Sequence, residues 1–457
     1  MTSRQPPGKA TWPLATDFRD QSLSSYSALA QAQLIKEGEL TSLELLEYYL
    51  QRIRRYDSQV HAFVDLFADR ARKEAEGADK RRAKGQLDGP FHGVPTALKD
   101  HHMVRFSTTR LGSSAFDWLY SPVDDGVVRR LRRAGFLILG KTSMSELGLL
   151  PIVEPLGKEA TANPWDLTRT AGGSSGGAGA AIAAGLIPLS PGSDGAGSVR
   201  IPAALNGLVG LKPTRGLVRD GSERVDPYGL TVIGPMARDL DDLTALLDVL
   251  ASADGSYLIR SKQEVPPLRI GVVTSAPFGE IEAPMLTLLE ETALRLQDLG
   301  HLIEWRNPPQ GTLEEFTPLY QRFISRVPVL LPHKLEPLTQ WFREEGKKVS
   351  LEKSWQIFRK FEALGNEAMA GIDLLLTPTV GISAPKIGEF RHLDPPDYFR
   401  KAAPLGTFTA LGNITGQPGL SFPFHRDNDL PLGLQLLGRP GDDLLLIRLA
   451  RTLTQNG

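Results

Sequence analysis

Between Gly172 and Gly216 the chain places twelve of its 45 glycines. Glycine at that density marks backbone held close to something, because it alone takes positive φ without penalty and brings no side chain to a close approach. The same stretch carries two serine clusters, Gly172-Gly-Ser174-Ser175-Gly-Gly177 and Ser193-Asp-Gly195-Ala196-Gly197-Ser198. The first runs into Ala178-Gly-Ala-Ala-Ile-Ala-Ala184, a helix of small residues able to pack tightly on a strand. With Lys99 upstream, in Gly93-Val-Pro-Thr-Ala-Leu-Lys99-Asp100, the pattern suggests serine chemistry run without histidine.

Other uses of glycine and serine fit less well. A flexible linker is compositionally similar, yet this run is flanked by Trp165 and an apolar helix. A phosphate-cradling loop would end in Gly-Lys-Ser/Thr, and a dinucleotide site would show Gly-x-Gly-x-x-Gly after a strand with an acidic ribose ligand beyond it. Neither is present.

A hydroxyl needs a positioned base to attack at neutral pH. None of the eight histidines, His61, His92, His101, His102, His301, His333, His392 and His425, lies inside either cluster, although a triad assembled in space stays open. Lysine can replace histidine when burial penalises its ammonium form. Lys99 follows the apolar Val94–Leu98 stretch, a predicted strand from whose end it would project inward; an ion pair with Asp100 is the alternative. The second cluster has the character of an oxyanion hole, with the N–H groups of Gly195, Ala196, Gly197 and Ser198 free to converge on one oxygen. Arg200 and Pro202 just beyond it read as groups that lock the loop.

The frame around these clusters alternates helix and strand. Thr41 and Glu44 have capping-box spacing ahead of Leu43, Leu46, Tyr49, Leu50 and Ile53. The stretch 65–86 reads as a solvated helix. A helix from Asp124 with Val127, Val128, Leu131 and Ala134 inward stops at Gly135 before the strand Phe136–Leu139. Later, Asp239 caps a helix with Leu243, Leu246, Leu247 and Leu250 inward; strands are predicted at 269–273, 301–305, 372–376 and 433–437, and a helix at 282–299. Residues 255–268 read as a surface connection, and 315–345 as core-covering helices, with a lid as the alternative. This order predicts an α/β fold in one large domain, with a mixed, mostly parallel central sheet covered by helices. Residues 1–24, with three prolines and no apolar run, are expected to be a poorly ordered lead, and 25–457 the domain.

The 52 Lys+Arg against 53 Asp+Glu give no global field for nucleic acid or anionic membrane, so neither partner is expected. With no cysteine, thiol nucleophiles, disulfides and thiolate metal sites are excluded. Without a membrane-length apolar run or a signal peptide, a cytoplasmic protein is expected; a homo-oligomer stays open.

Gly93-Val-Pro-x-x-x-Lys99-Asp100, Gly140-Lys-Thr142, Asn163-Pro-Trp165, Gly172-Gly-Ser-Ser-Gly-Gly177, Asp194-x-x-Gly-Ser198-x-Arg200-x-Pro-Ala203 and Gly210-Leu-Lys-Pro-Thr-Arg-Gly216 resemble, in order and spacing, the amidase signature family. The core motifs lie within 90–216; weaker similarity runs to the end through Leu376-Thr-Pro-Thr379, Gly416-Gln-Pro418 and Pro431-Leu-Gly-Leu-Gln435. The wording is most similar to the 6-aminohexanoate-cyclic-dimer hydrolase branch. The resemblance implies the amidase signature fold and a Ser-cisSer-Lys triad, with Ser198 as nucleophile, Ser174 after a cis peptide bond as bridge and Lys99 as base. It implies an acyl-enzyme hydrolysis of small linear or cyclic amides, with no metal and no organic cofactor. Ser175 is expected to hold the loop together. Many members have threonine where this chain has Ser193 and glycine where it has Ala196; the latter removes the freedom to take positive φ and leaves the loop conformation to be found.

Two alternatives accompany this expectation: the amidase subunit of a glutamyl-tRNA(Gln) amidotransferase, and a catalytically silent binding or scaffold protein. Substrate choice would rest on residues 146–158, 220–233 and 315–345. Within them Glu146, Glu154 and Glu159 are candidates to meet an amine, though exposed carboxylates are the expectation.

Overall fold

The computed structural model describes residues 23–219, 226–253, 255–424 and 430–454. The expected lead, apart from Leu23 and Ser24, part of the 220–233 loop and His425 lie outside the described residues. One buried apolar cluster runs from Ala28 to Leu453, so both ends of the described chain share a core.

Local signals position most helices. Helix Ser42–Val60 begins with the complete Thr41/Glu44 capping box, and Asp239 caps Leu240–Ala251 through the Asp242 N–H. Asp125, one residue after the expected start, caps Gly126–Arg133, which buries Val127, Val128 and Leu131 before the strand Leu137–Thr142. The stretch 65–86 becomes Ala68–Arg82, preceded by a short strand Phe63–Leu66. Helices Leu313–Ser325 and Pro337–Lys348 cover the core with Leu319, Ile324, Leu338 and Phe342 buried, the first of the two alternatives for that region.

The large sheet has eight strands in the order Leu302–Arg306, Arg269–Val273, Leu374–Pro378, Leu432–Leu437, Gly419–Phe424, Val209–Lys212, Val232–Ala237 and Leu189–Asp194. It is mixed, as expected, but not mostly parallel. Only Arg269–Val273 has parallel neighbours, on both its sides, and the remaining five pairings are antiparallel. The physical reason lies in the connections. Arg269–Val273 reaches Leu302–Arg306 through helix Ala283–Asp298, a crossover that permits parallel pairing, whereas strands such as Gly419–Phe424 and Leu432–Leu437 follow one another too closely for it.

A second sheet of three strands sets Pro95–Lys99 parallel to Leu137–Thr142, with Phe63–Leu66 antiparallel on the far side. Side chains join the two sheets: Thr96 Oγ1 donates to Leu189 O at 2.9 Å, and Ser190 Oγ donates to Ala97 O at 2.8 Å. The ends of Pro95–Lys99 and Leu189–Asp194 therefore meet. Helix Gly176–Ala183, buried at every residue, brings the first serine cluster to the same point.

Candidate active site

Lys99 closes the strand Pro95–Lys99 and is completely buried. Its Nζ lies 2.7 Å from Ser174 Oγ, 2.8 Å from Ser193 Oγ and 3.4 Å from Ser193 O. The alternative ion pair with Asp100 does not form, because Asp100 faces Lys141 at 3.3 Å and Lys141 is further held by Thr108 O and Thr109 Oγ1. Burial, opposed only in part by the nearby Asp194 carboxylate, brings the Lys99 amine down to about 7. The atoms in contact with Nζ are two hydroxyls and a carbonyl rather than a carboxylate, so the Asp194 charge does not outweigh desolvation.

Ser174 is buried, and the peptide bond from Gly173 is cis. Ser145 N–H reaches Ser174 O at 3.3 Å. Ser175 ties the two clusters together: its N–H donates to Ser198 O at 3.2 Å and its Oγ to Ser193 O at 3.3 Å. Ser198 itself is half-buried, and its hydroxyl makes no hydrogen bond among the described residues. No described histidine hydrogen-bonds either serine cluster; His102 instead faces Asp125 at 2.9 Å.

The loop from Asp194 to Ser198 is wound around the Asp194 carboxylate. Oδ1 accepts from Gly197 N–H at 2.7 Å, and Oδ2 from Val199 N–H at 3.2 Å. Arg200 closes a bidentate pair on the same carboxylate, 2.9 Å at each oxygen. Burial alone would raise the Asp194 pKa, but the Arg200 guanidinium overrides it and holds the carboxyl well below the usual range. Arg200 is in turn fixed by Gln435 and Asn413, and Asn413 Nδ2 returns to Asp194 O at 2.7 Å. Arg200 thus locks the loop, as its sequence position suggested.

The two substitutions in this loop have simple outcomes. Ser193 keeps a hydroxyl where Lys99 needs one. The positive φ falls at Gly197, +123°, and not at Ala196. A Cβ on Gly197 would stand 2.2 Å from Thr409 Oγ1, which itself donates to Ala196 O at 2.6 Å. Of the four expected oxyanion donors, Gly197 N–H is taken by Asp194, whereas those of Gly195, Ala196 and Ser198 have no partner among the described residues.

Other expectations are corrected by burial. Glu146 is buried and accepts from Glu336 N–H at 2.8 Å, and the Glu154 side chain is covered by Arg391 at 3.0 Å and Gly388 N–H; only Glu159 is exposed. The Asn163 and Trp165 motif residues pin the end of helix Arg200–Leu205, through Leu205 O and Asn206 O. Thr409 and Asn413 escape sequence reasoning because no motif marks them. Lys212, inside Gly210–Gly216, is also fully buried, and its Nζ donates to Pro213 O at 2.8 Å.

A profile of the Amidase family matches residues 44–447. The chain belongs to the Amidase family. This amidase is 36% identical over 453 residues to AmiB2 of Mycobacterium tuberculosis, covering 94% of this chain and 95% of that one. It is 31% identical over 473 residues to the 6-aminohexanoate-cyclic-dimer hydrolase of Paenarthrobacter ureafaciens, with 93% and 94% covered. The solved structure of a 6-aminohexanoate cyclic dimer hydrolase superimposes with a TM-score of 0.84 at 30% identity, covering 94% of this chain and 97% of that one. A glutamyl-tRNA(Gln) amidotransferase subunit from Symbiobacterium thermophilum is similar at 31% identity over 471 residues, with 93% of this chain and 95% of that one covered. The amidase is therefore an enzyme, an amidohydrolase. Among its described residues no helix is long and apolar enough to cross a membrane.

Proposed function

We propose that this amidase cleaves carboxylic amides through an acyl-enzyme on Ser198, with Ser174 as proton bridge and Lys99 as base. The observation that carries the proposal is the 2.7 Å approach of the completely buried Lys99 Nζ to Ser174 Oγ. With the amine near 7, about nine-tenths of it is neutral at pH 8, against roughly 0.4% at its ordinary value. Neutral Lys99 takes the proton of Ser174, Ser174 takes that of Ser198, and Ser198 Oγ forms a bond to the amide carbon. The carbonyl oxygen, now negative, is held by the N–H groups of Gly195, Ala196 and Ser198; each such donor is worth about 3 kcal/mol in comparable enzymes. The C–N bond then breaks as the relay returns the proton to the departing amine. Water enters along the same relay and releases the acid.

The substrate class we infer is a small linear or cyclic amide. Support comes from the similarity to the cyclic-dimer hydrolases and from an apolar cavity of about 60 Å³, lined in part by Phe278, Phe316, Thr407 and Phe408, next to the segment that carries Thr409. The amidotransferase reading draws on the Symbiobacterium relative and would require glutaminase activity only with partner subunits and charged tRNA. A fluorophosphonate tests the core of the proposal: attack by Ser198 Oγ expels fluoride and leaves a phosphonyl ester. Mass mapping is expected to place the adduct on Ser198, and an unchanged adduct in Ser198→Ala would sink the assignment.

A further inference from the structure

Beside the bridging serine lies a bend whose backbone is strained. Leu147 and Gly148 take φ of +51° and +71° in succession, the first without the excuse of being glycine. Gly148 stands so close to the relay that a Cβ on it would lie 3.4 Å from Ser174 Oγ. Something must hold such a bend. Leu111 O accepts Leu147 N–H at 2.9 Å, and Ser145 Oγ donates to Leu150 O at 2.9 Å. Within the bend Gly148 N–H donates to Ser145 O at 2.9 Å and Leu149 N–H to Glu146 O at 3.0 Å, and two ties come from far along the chain, the first being Glu336 N–H on the Glu146 carboxylate. Tyr320, on helix Leu313–Ser325 and 7% exposed, places its hydroxyl 3.3 Å from both Gly148 O and Leu149 O.

The ring of Tyr320 has independent support from Phe316, Phe323 and Phe342, which surround it at centroid distances of 5.9–6.2 Å. Packing therefore accounts for the ring and leaves the hydroxyl to be explained. A shared bond at 3.3 Å is longer than the usual O–H···O distance, but its acceptors are the carbonyl of Gly148, the residue whose Cβ position lies 3.4 Å from Ser174 Oγ, and that of its neighbour Leu149. Without it, the Leu147–Gly148–Leu149 bend keeps its strain and loses one of its restraints.

We propose that Tyr320 is a positioning residue for the proton relay: its hydroxyl holds the 147–149 bend against Ser174, so that the bridging hydroxyl stays aligned between Lys99 and Ser198. Helix Leu313–Ser325 thereby acts on the chemistry through this phenol. The proposal rests on the Ser198 nucleophile reading, and its test separates the two. The rate of Ser198 labelling by a fluorophosphonate is measured against pH in the wild type, Tyr320→Phe and Gly148→Ala, each corrected for folded fraction. Wild-type labelling at Ser198 tests the nucleophile. Tyr320→Phe is expected to lower the plateau rate about fivefold while leaving the pH midpoint in place, because the midpoint belongs to the burial of Lys99. Gly148→Ala, which adds a methyl beside Ser174 at a φ unfavourable to alanine, is expected to lower it further. A purely structural Tyr320 would cost thermal stability alone, and a Tyr320→Phe plateau within twofold of wild type overturns the proposal.

Discussion

The titration of Lys99 can be followed by activity and by stability, and the two must agree. The group's folded pKa of about 7 lies below its ordinary 10.5. Between those values the unfolded chain binds a proton that the native chain does not, so stability rises with pH across that window. The full difference is worth about 5 kcal/mol at 1.36 kcal/mol per unit. Lys99 is half protonated at pH 7 in the folded state, so between pH 7 and 9 replacing it by methionine should remove about 2.3 kcal/mol of pH-dependent gain. Methionine cannot titrate, so Lys99→Met has its largest advantage over the wild type below pH 7 and loses it as pH climbs through 7 toward 10.5. Chemical denaturation of both proteins at pH 7, 8 and 9 reads the difference, and Ser198 labelling gives the kinetic counterpart: about tenfold per unit below pH 7, then a plateau. A labelling rate that climbs log-linearly to pH 10, or denaturation curves that stay parallel from pH 7 to 9, would refute the argument that burial neutralises this lysine.

Three other perturbations address the site and its surroundings. Gly197→Ala combines a φ of +123° with a Cβ 2.2 Å from Thr409 Oγ1; Ser198 labelling is expected to fall at least a hundredfold, and a near-normal rate would show that the loop shape is dispensable. Asp194→Asn leaves the buried Arg200 guanidinium without its counter-charge and should destabilise the protein by about 3–5 kcal/mol in denaturant titrations. Burial, with Glu146 beside it, raises the Glu336 carboxyl to about 7. A carboxyl raised in the folded state loses stability as pH rises from its ordinary value through 7. Glu336→Gln should accordingly melt higher than wild type at pH 8 and lose that advantage at pH 5.

How much of this is legible in the sequence depends on the range over which each signal acts. The capping box at Thr41 and Glu44 and the caps at Asp125 and Asp239 are local, and the helices they begin are found where the sequence puts them, within a residue. The proximity of Lys99 to Ser174 spans 75 residues and is accessible only because the surrounding motifs fix both. The sheet's direction is misread because alternation of helices and strands reports crossovers and is silent on how late strands pair back. Glu154 looks exposed in sequence because its cover, Arg391, stands 237 residues away. Comparable distances, 213 and 219 residues, hide Thr409 and Asn413, whose contacts with the 194–198 loop exist only after the chain has folded back.

That long reach has a consequence for the protein's synthesis. The loop bearing Ser198 is shaped by Asn413 and, through Arg200, by Gln435, both made more than two hundred residues after it. Chains fold as they leave the ribosome, N-terminal parts first. On the proposed mechanism the nascent amidase thus carries Ser198, Ser174 and Lys99 for nearly half of its translation without the clasp that sets the loop. On that reading a chain cut short before Asn413 is expected to be inert although it holds all three residues of the proposed relay.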